Sequence, residues 1–163
     1  MTKSNLFINI ECHASQLNNA INFLCDILEK NLKIPSNNKF KIISTLTDSI
    51  SALFLINKEI STRFKSKFID SPILIKLEQD IDYIKTLYPS SFKPFIKTYS
   101  LEGSYCGVSV SITTRLRNYL IEVLNNNNNY ESLCEKYCVL LEKYLTHLYN
   151  YIIFIFTDDL VLM

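Results

Sequence analysis

Cys134 and Cys138 stand four residues apart, a spacing that on a helix puts two sulfurs on one face, where they could share an ion. The further ligands available are Cys12 with its neighbour His13, and His147. A structural zinc site is normally built from paired Cys-x2-Cys knuckles, and this chain has none. Cys134 also falls among apolar residues at helical spacing. The expectation is therefore two core cysteines and no metal.

Other chemistry was sought in the same way. A thiol nucleophile would need Cys12, Cys25, Cys106, Cys134 or Cys138 beside His13 or His147, but no local signature marks any thiol as activated. His147 sits at the edge of an apolar stripe, where a packed or half-exposed histidine is expected. Glu78, Asp80 and Asp82 recur every second residue, so on a helix they splay round it instead of meeting. Gly103 and Gly107 bracket Ser-Tyr-Cys without the Lys-Ser/Thr of a phosphate loop, and read as a loop needing glycine geometry. Arg63, Lys65 and Lys67 mix with Phe64 and Phe68, as in single-strand binders. Arg115 and Arg117 near Tyr119 make a second small cationic spot. Both read as solvated surface. No catalytic set assembles, so the chain is expected not to be an enzyme and to use no cofactor.

Tyrosines carry more suggestion. Tyr130, Tyr137, Tyr144 and Tyr151 follow one another at heptad spacing. A tyrosine has an apolar body and a polar tip, which suits either the edge of a core or an interface. These four are the candidate partner-binding residues.

The elements that must position these groups are helical. Ser15 caps a first helix with its stripe from Leu17 to Leu32, ended by Pro35. Leu6–Ile10 reads either as a strand or as that helix's start. Ser36 opens a second helix, with Phe40, Ile43, Leu46, Ile50, Leu53 and Phe54 on its stripe, running to about Lys58. Residues 61–71 read as a loop or frayed helix end. Pro72 suits the first turn of a third helix, whose seam is Leu74, Leu77, Ile81, Ile84 and Tyr88. Residues 89–108 look least helical. Val108, Val110 and Ile112 alternate with polar residues as in a half-buried strand, with a helix from near Ser111 equally open. The Asn125–Asn129 tract reads as an inter-helix loop, and Asn128 with Glu131 resembles a capping box. The strongest helix spans Tyr130 to about Ile152, and the tail to Leu162 could form a strand, turn and strand. The fold class is mainly α: one domain over 1–163, a compact bundle of five or six helices, with one short β-strand pair as an open option.

Composition narrows the function classes. The 163 residues suit one domain able to bury a core without staples. Hydrophobic residues make up 48% and charged residues 20%, a globular mix. A formal net charge of +1 supplies no field to draw nucleic acid. Only two glycines argue against folds that spend glycine on turns and phosphate binding. The heavy use of Asn, Ile, Lys, Tyr and Phe is what an AT-rich coding sequence gives. Five cysteines, odd in number and irregularly spaced, read as free thiols, and no signal peptide is seen, so a reducing intracellular, cytoplasmic setting is expected. No apolar run reaches the length of a membrane span.

The helix–loop–helix order from Arg115 to Tyr151 resembles the end of a glycolipid-transfer domain, but the head-group residues of that family do not fall into place and the chain has no Trp. Residues Ile8–Ala52 resemble the opening of anti-sigma-type ATPases in layout, with Asp48 and Ala52 where that family has Glu and Asn. Neither resemblance extends to its functional residues. The expectation is a non-catalytic helical protein–protein interaction protein that presents a groove or helix face to another protein or subunit. The alternative is a small carrier of a hydrophobic ligand, which the wide apolar face of residues 40–56 could line.

Overall fold

A computed structural model describes residues 3–94, 100–127 and 129–161. Five helices follow in order: α1 (Lys3–Lys30), α2 (Ser36–Ser61), α3 (Ser71–Lys85), α4 (Leu101–Asn125) and α5 (Cys134–Val161). No strand occurs among the described residues. The expected strand pair is corrected at both places. Val108, Val110 and Ile112 lie inside α4, and Ile152–Phe156 simply continue α5. Short stretches of apolar alternation cannot distinguish a strand from a helix with a broad buried face.

Local chemistry sets the helix ends. Asp70 caps α3, accepting from the Ile73 N–H at 3.2 Å, and a proline fills its first turn. Ser100 caps α4, accepting from the Gly103 N–H at 3.0 Å. The expected glycine loop is thus the opening of a helix. Ser132 Oγ accepts from the Cys134 N–H and starts α5, so Tyr130 precedes that helix instead of lying on it. Asn128, the cap expected from sequence, lies outside the described residues. At the other end of α2, Arg63 and Phe64 take left-handed φ values of 55° and 63°. The Phe64 N–H then bonds the Glu59 carbonyl at 2.7 Å, closing α2 as a Schellman-type turn does, without the usual glycine.

Paired contacts fix the topology. His13 meets Tyr119 and Phe23 stacks on Tyr105, so α1 and α4 run antiparallel. The Cys106 thiol reaches the Leu145 carbonyl and Arg117 pairs with Glu142 at 2.9 Å, so α4 and α5 do too. Asn38 bonds Tyr151 while Glu59 bonds Cys134, so α2 runs against α5. Going round the bundle, α2 packs on α1, α1 on α4, α4 on α5 and α5 on α3. The ring is nearly open between α3 and α2, which touch least. The buried residues form one cluster drawn from all five helices, with Leu17, Ile21, Leu46, Ile56, Leu141 and Leu148 fully enclosed. By length and composition α2 could cross a membrane, yet its inner face supplies Ile42, Leu46, Leu53, Ile56 and Ile60 to this core.

Candidate functional site

A depression opens in the gap between α2 and α3. It is an open groove of about 330 Å³. Ala52 and Leu55 on α2 form one wall, and Pro72, Ile73 and Leu77 on α3 form the other. The Tyr137 ring from α5 closes the floor. Asp48, Lys76 and Asp80 make the rim.

The helical phase explains this lining. On α2 the residues Thr45, Ser49, Ala52, Ile56 and Glu59 point inward. Asp48, Ser51 and Leu55 lie one step round, at the edge facing α3. Ala52 is small, which leaves room in this wall. The helices run antiparallel, as Tyr83 bonding Asn38 shows, and the α2 lining from Thr45 to Leu55 covers about three turns, roughly 15 Å.

Charge is concentrated on the rim. Lys76 Nζ donates to Asp80 Oδ1 at 2.7 Å and lies 4.0 Å from Asp48 Oδ2 on the facing helix. It therefore straps the groove mouth with a loose ion pair, both of whose long-range partners are more than half exposed. Pairs of this kind add little stability and yield readily to a competing charge. With two carboxylates to one ammonium, the rim is net acidic. Burial raises the Tyr137 phenol well above its ordinary value, as do the Cys138 thiol and the Asp48 and Asp80 carboxylates in turn. Tyr137 stays neutral and offers a hydrogen-bonding tip, not a charge.

The tyrosines singled out by spacing divide. Tyr137, Tyr144 and Tyr151 are buried, and Tyr130 is half-buried against the Phe7 and Phe64 rings. The expected row of partner-facing tyrosines is therefore corrected. The heptad positions of α5 face the bundle interior, so these side chains point into the core; Tyr137 also lines the α2–α3 groove, and Tyr130 lines a second depression beside Lys67 and Glu131. Cys106, Cys134 and Cys138 are buried, and burial pushes each thiol up, Cys138 to about 12. Among the described residues no three Cys, His, Asp or Glu side chains gather as a metal set would. His147 Nδ1 lies 2.6 Å from the Tyr88 hydroxyl, and His13 donates to the Asn9 carbonyl. Neither histidine bonds a cysteine among these contacts.

The cationic spots are largely spoken for. Arg63 lies over the Phe7 ring at 4.0 Å, Lys67 pairs with Glu131 at 3.0 Å, and Arg117 pairs with Glu142.

Two features escaped sequence reasoning. Leu77 is an ordinary seam residue and Leu55 and Ile73 lie beside the seams; their part in a groove depends on how far α3 stands from α2, a tertiary fact. Glu59 is wholly buried and accepts from the Phe68 and Ile69 N–H groups, the Ser132 hydroxyl and the Cys134 thiol. Its signal was available: it is an acidic residue on the inward stripe of an otherwise apolar helix.

Comparison with known protein families, with characterised proteins and with solved structures returned no match.

Proposed function

We propose that this chain is a non-catalytic helical binding protein whose α2–α3 groove takes an amphipathic helical segment of a partner protein. The carrying observation is the groove itself: apolar walls, a tyrosine floor and a net acidic rim held by one exposed lysine. Helix-in-groove recognition uses this combination, with apolar anchors at i, i+3 or i+4 and i+7 entering the groove and charges at its lips setting orientation. The favoured partner carries Lys or Arg beside its apolar face, to displace Lys76 from Asp48 and Asp80. No activated nucleophile or base lines the groove, in keeping with a binding role.

A photo-crosslinking residue placed at Ile73 in the full-length chain tests this in cells. The expected result is a discrete protein adduct that disappears when Leu55→Glu is added. Adducts no more frequent than those from exposed Glu11 on α1 would sink the reading.

A small hydrophobic ligand is the second occupant the groove would take, because its volume sits at the low end of ligand pockets and its lining is mainly apolar. A lipid or other apolar molecule retained by the purified chain and lost on Leu77→Glu would favour that reading over a partner helix.

A further inference from the structure

Beyond the groove, the outward face of α2 has a pattern that a monomer does not require. From Ile42 to Asn57 the only charged residue is Asp48, which stands between the groove rim and a depression it shares with Phe40, Ser44 and Thr47. That face carries Phe40, Ser44, Thr47, Ser51 and Phe54. The two rings are 76% and 64% exposed. The lysines around the face are turned to other partners: Lys39 donates to the Glu29 and Asn31 carbonyls, Lys41 lies over the Tyr83 ring and Lys58 over Phe68. The rings stand at both ends with small hydroxyl residues between them, and Phe40, Ser44 and Thr47 line a depression that reaches Glu29.

The pattern is self-complementary. A two-fold axis through Thr47 that sets two α2 helices antiparallel lays Phe40 of one copy against Phe54 of the other. The rings are about 21 Å apart along the helix, so both pairs form together. The small residues let the two backbones approach between them. The same operation brings Lys58 over Ser36 of the second copy. Ser36 shares a surface depression with Glu29 and Phe40, so Lys58 meets the exposed Glu29 carboxylate twice across the axis. The like-charged Asp48 side chains lie at the edge of the seam, each offset by its own Lys76 at 4.0 Å.

Area is consistent with such a pair. The face is about 27 Å long and, with the flanking edge of α1, roughly 20 Å wide, giving about 1,100 Å² over two copies. That is near the lower limit for specific interfaces and corresponds to a dimer of roughly micromolar strength. We infer that the chain forms an isologous dimer through antiparallel α2 helices, with Phe40 and Phe54 as reciprocal anchors and the Glu29–Lys58 pairs setting register. Each groove would then lie beside the seam, with its Leu55 and Ile73 walls uncovered. The dimer does not depend on what the groove binds.

The test uses the full chain in sedimentation equilibrium, with Cys12→Ser as background. A monomer–dimer equilibrium is expected. Phe40→Asp and Phe54→Asp should each give folded monomers, judged by unchanged helical circular dichroism. Lys58→Glu should weaken the dimer about tenfold and Glu29→Lys added to it should restore it. Thr47→Cys should form a disulfide-linked dimer under mild oxidation, whereas Ser15→Cys on α1 should not. Phe40→Cys should crosslink to Phe54→Cys, and neither to itself. A monomer at every accessible concentration overturns the inference, as does a dimer indifferent to these positions. So does a monomer that floats with phosphatidylcholine vesicles, which would assign the face to lipid. None of these failures touches the Ile73 crosslinking result, so the two readings fall separately.

Discussion

The Ser132 hydroxyl donates to the wholly buried carboxylate of Glu59 at 2.7 Å, joining the start of α5 to the end of α2. The other carboxylate oxygen accepts the Phe68 and Ile69 N–H groups at 2.7 Å each. One side chain therefore satisfies two backbone donors in the α2–α3 connection and a hydroxyl on a third segment. Glu59→Ala would leave these donors buried without a partner, a loss of about 3–5 kcal/mol. Glu59→Gln keeps an acceptor for the two N–H groups and faces its amide toward Ser132, so about 1–2 kcal/mol is expected. Urea denaturation of the two variants checks the order. Equal losses would show that the carboxylate acts only by filling space.

The tyrosines of α5 predict opposite signs for one chemical change. The Tyr144 hydroxyl is fully buried and approaches Thr45 without completing a hydrogen bond. Thr45 directs its own proton to the Lys41 carbonyl. Tyr144→Phe removes a dehydrated polar group and is expected to raise stability by up to about 1 kcal/mol. The Tyr151 hydroxyl instead accepts from Asn38, whose Oδ1 accepts from Tyr83. Tyr151→Phe breaks that chain and should lower stability by about 1 kcal/mol. Thermal unfolding of both variants reads the signs directly, and a shared sign would refute the account.

These two tyrosines also show how far the sequence reaches. The 3.6-residue period made the inner seams of α3 and α5 legible, and Pro72 marked the start of α3, because apolar spacing and proline act locally; on α2 the same period put Phe40 and Phe54 on the stripe with Leu46 and Leu53, and both rings are exposed. Heptad spacing put Tyr137, Tyr144 and Tyr151 on one stripe, but not whether that stripe faced core or partner. That depends on which side of α5 the other helices pack against, a tertiary fact. The α4 glycines misled for a related reason. Gly103 lies in the first turn of a helix capped by Ser100, where glycine is tolerated and no left-handed geometry is used. The groove was invisible because it is a spacing between α2 and α3, not a property of either.

Thiol reactivity should sort the five cysteines by depth. Cys12 is exposed. Cys25 is half-buried, and burial, then Asp26 and Glu29, push its thiol up to about 11. Cys106, Cys134 and Cys138 are enclosed, and burial raises all three. Thiolate is the reacting form, so iodoacetamide at neutral pH should modify Cys12 first and Cys25 slowly. The other three should react only when denaturant opens the bundle. Peptide mapping after timed quenching measures this. Early modification of Cys134 would mean that the Glu59 junction opens readily in the native state.

His147 supplies a pH dependence of known sign. Burial, and then the nearby Lys85 ammonium, lower its pKa below the ordinary 6.5. Its Nδ1 also meets the Tyr88 hydroxyl, which accepts from Asn150. The neutral imidazole is thus favoured in the folded chain relative to the unfolded one. Above the unfolded value neither state binds the proton, and the contribution to stability is fully present. As pH falls below it the unfolded chain takes up the proton first, and stability drains away until the folded pKa is passed. Wild type should therefore lose more stability between about pH 7.5 and 5.5 than His147→Gln, whose side chain can still bond Tyr88 but does not titrate. Denaturation midpoints at the two pH values, compared between the proteins, give the difference. A variant that loses as much as wild type would place the acid sensitivity elsewhere, and a variant that loses more would reverse the assigned sign.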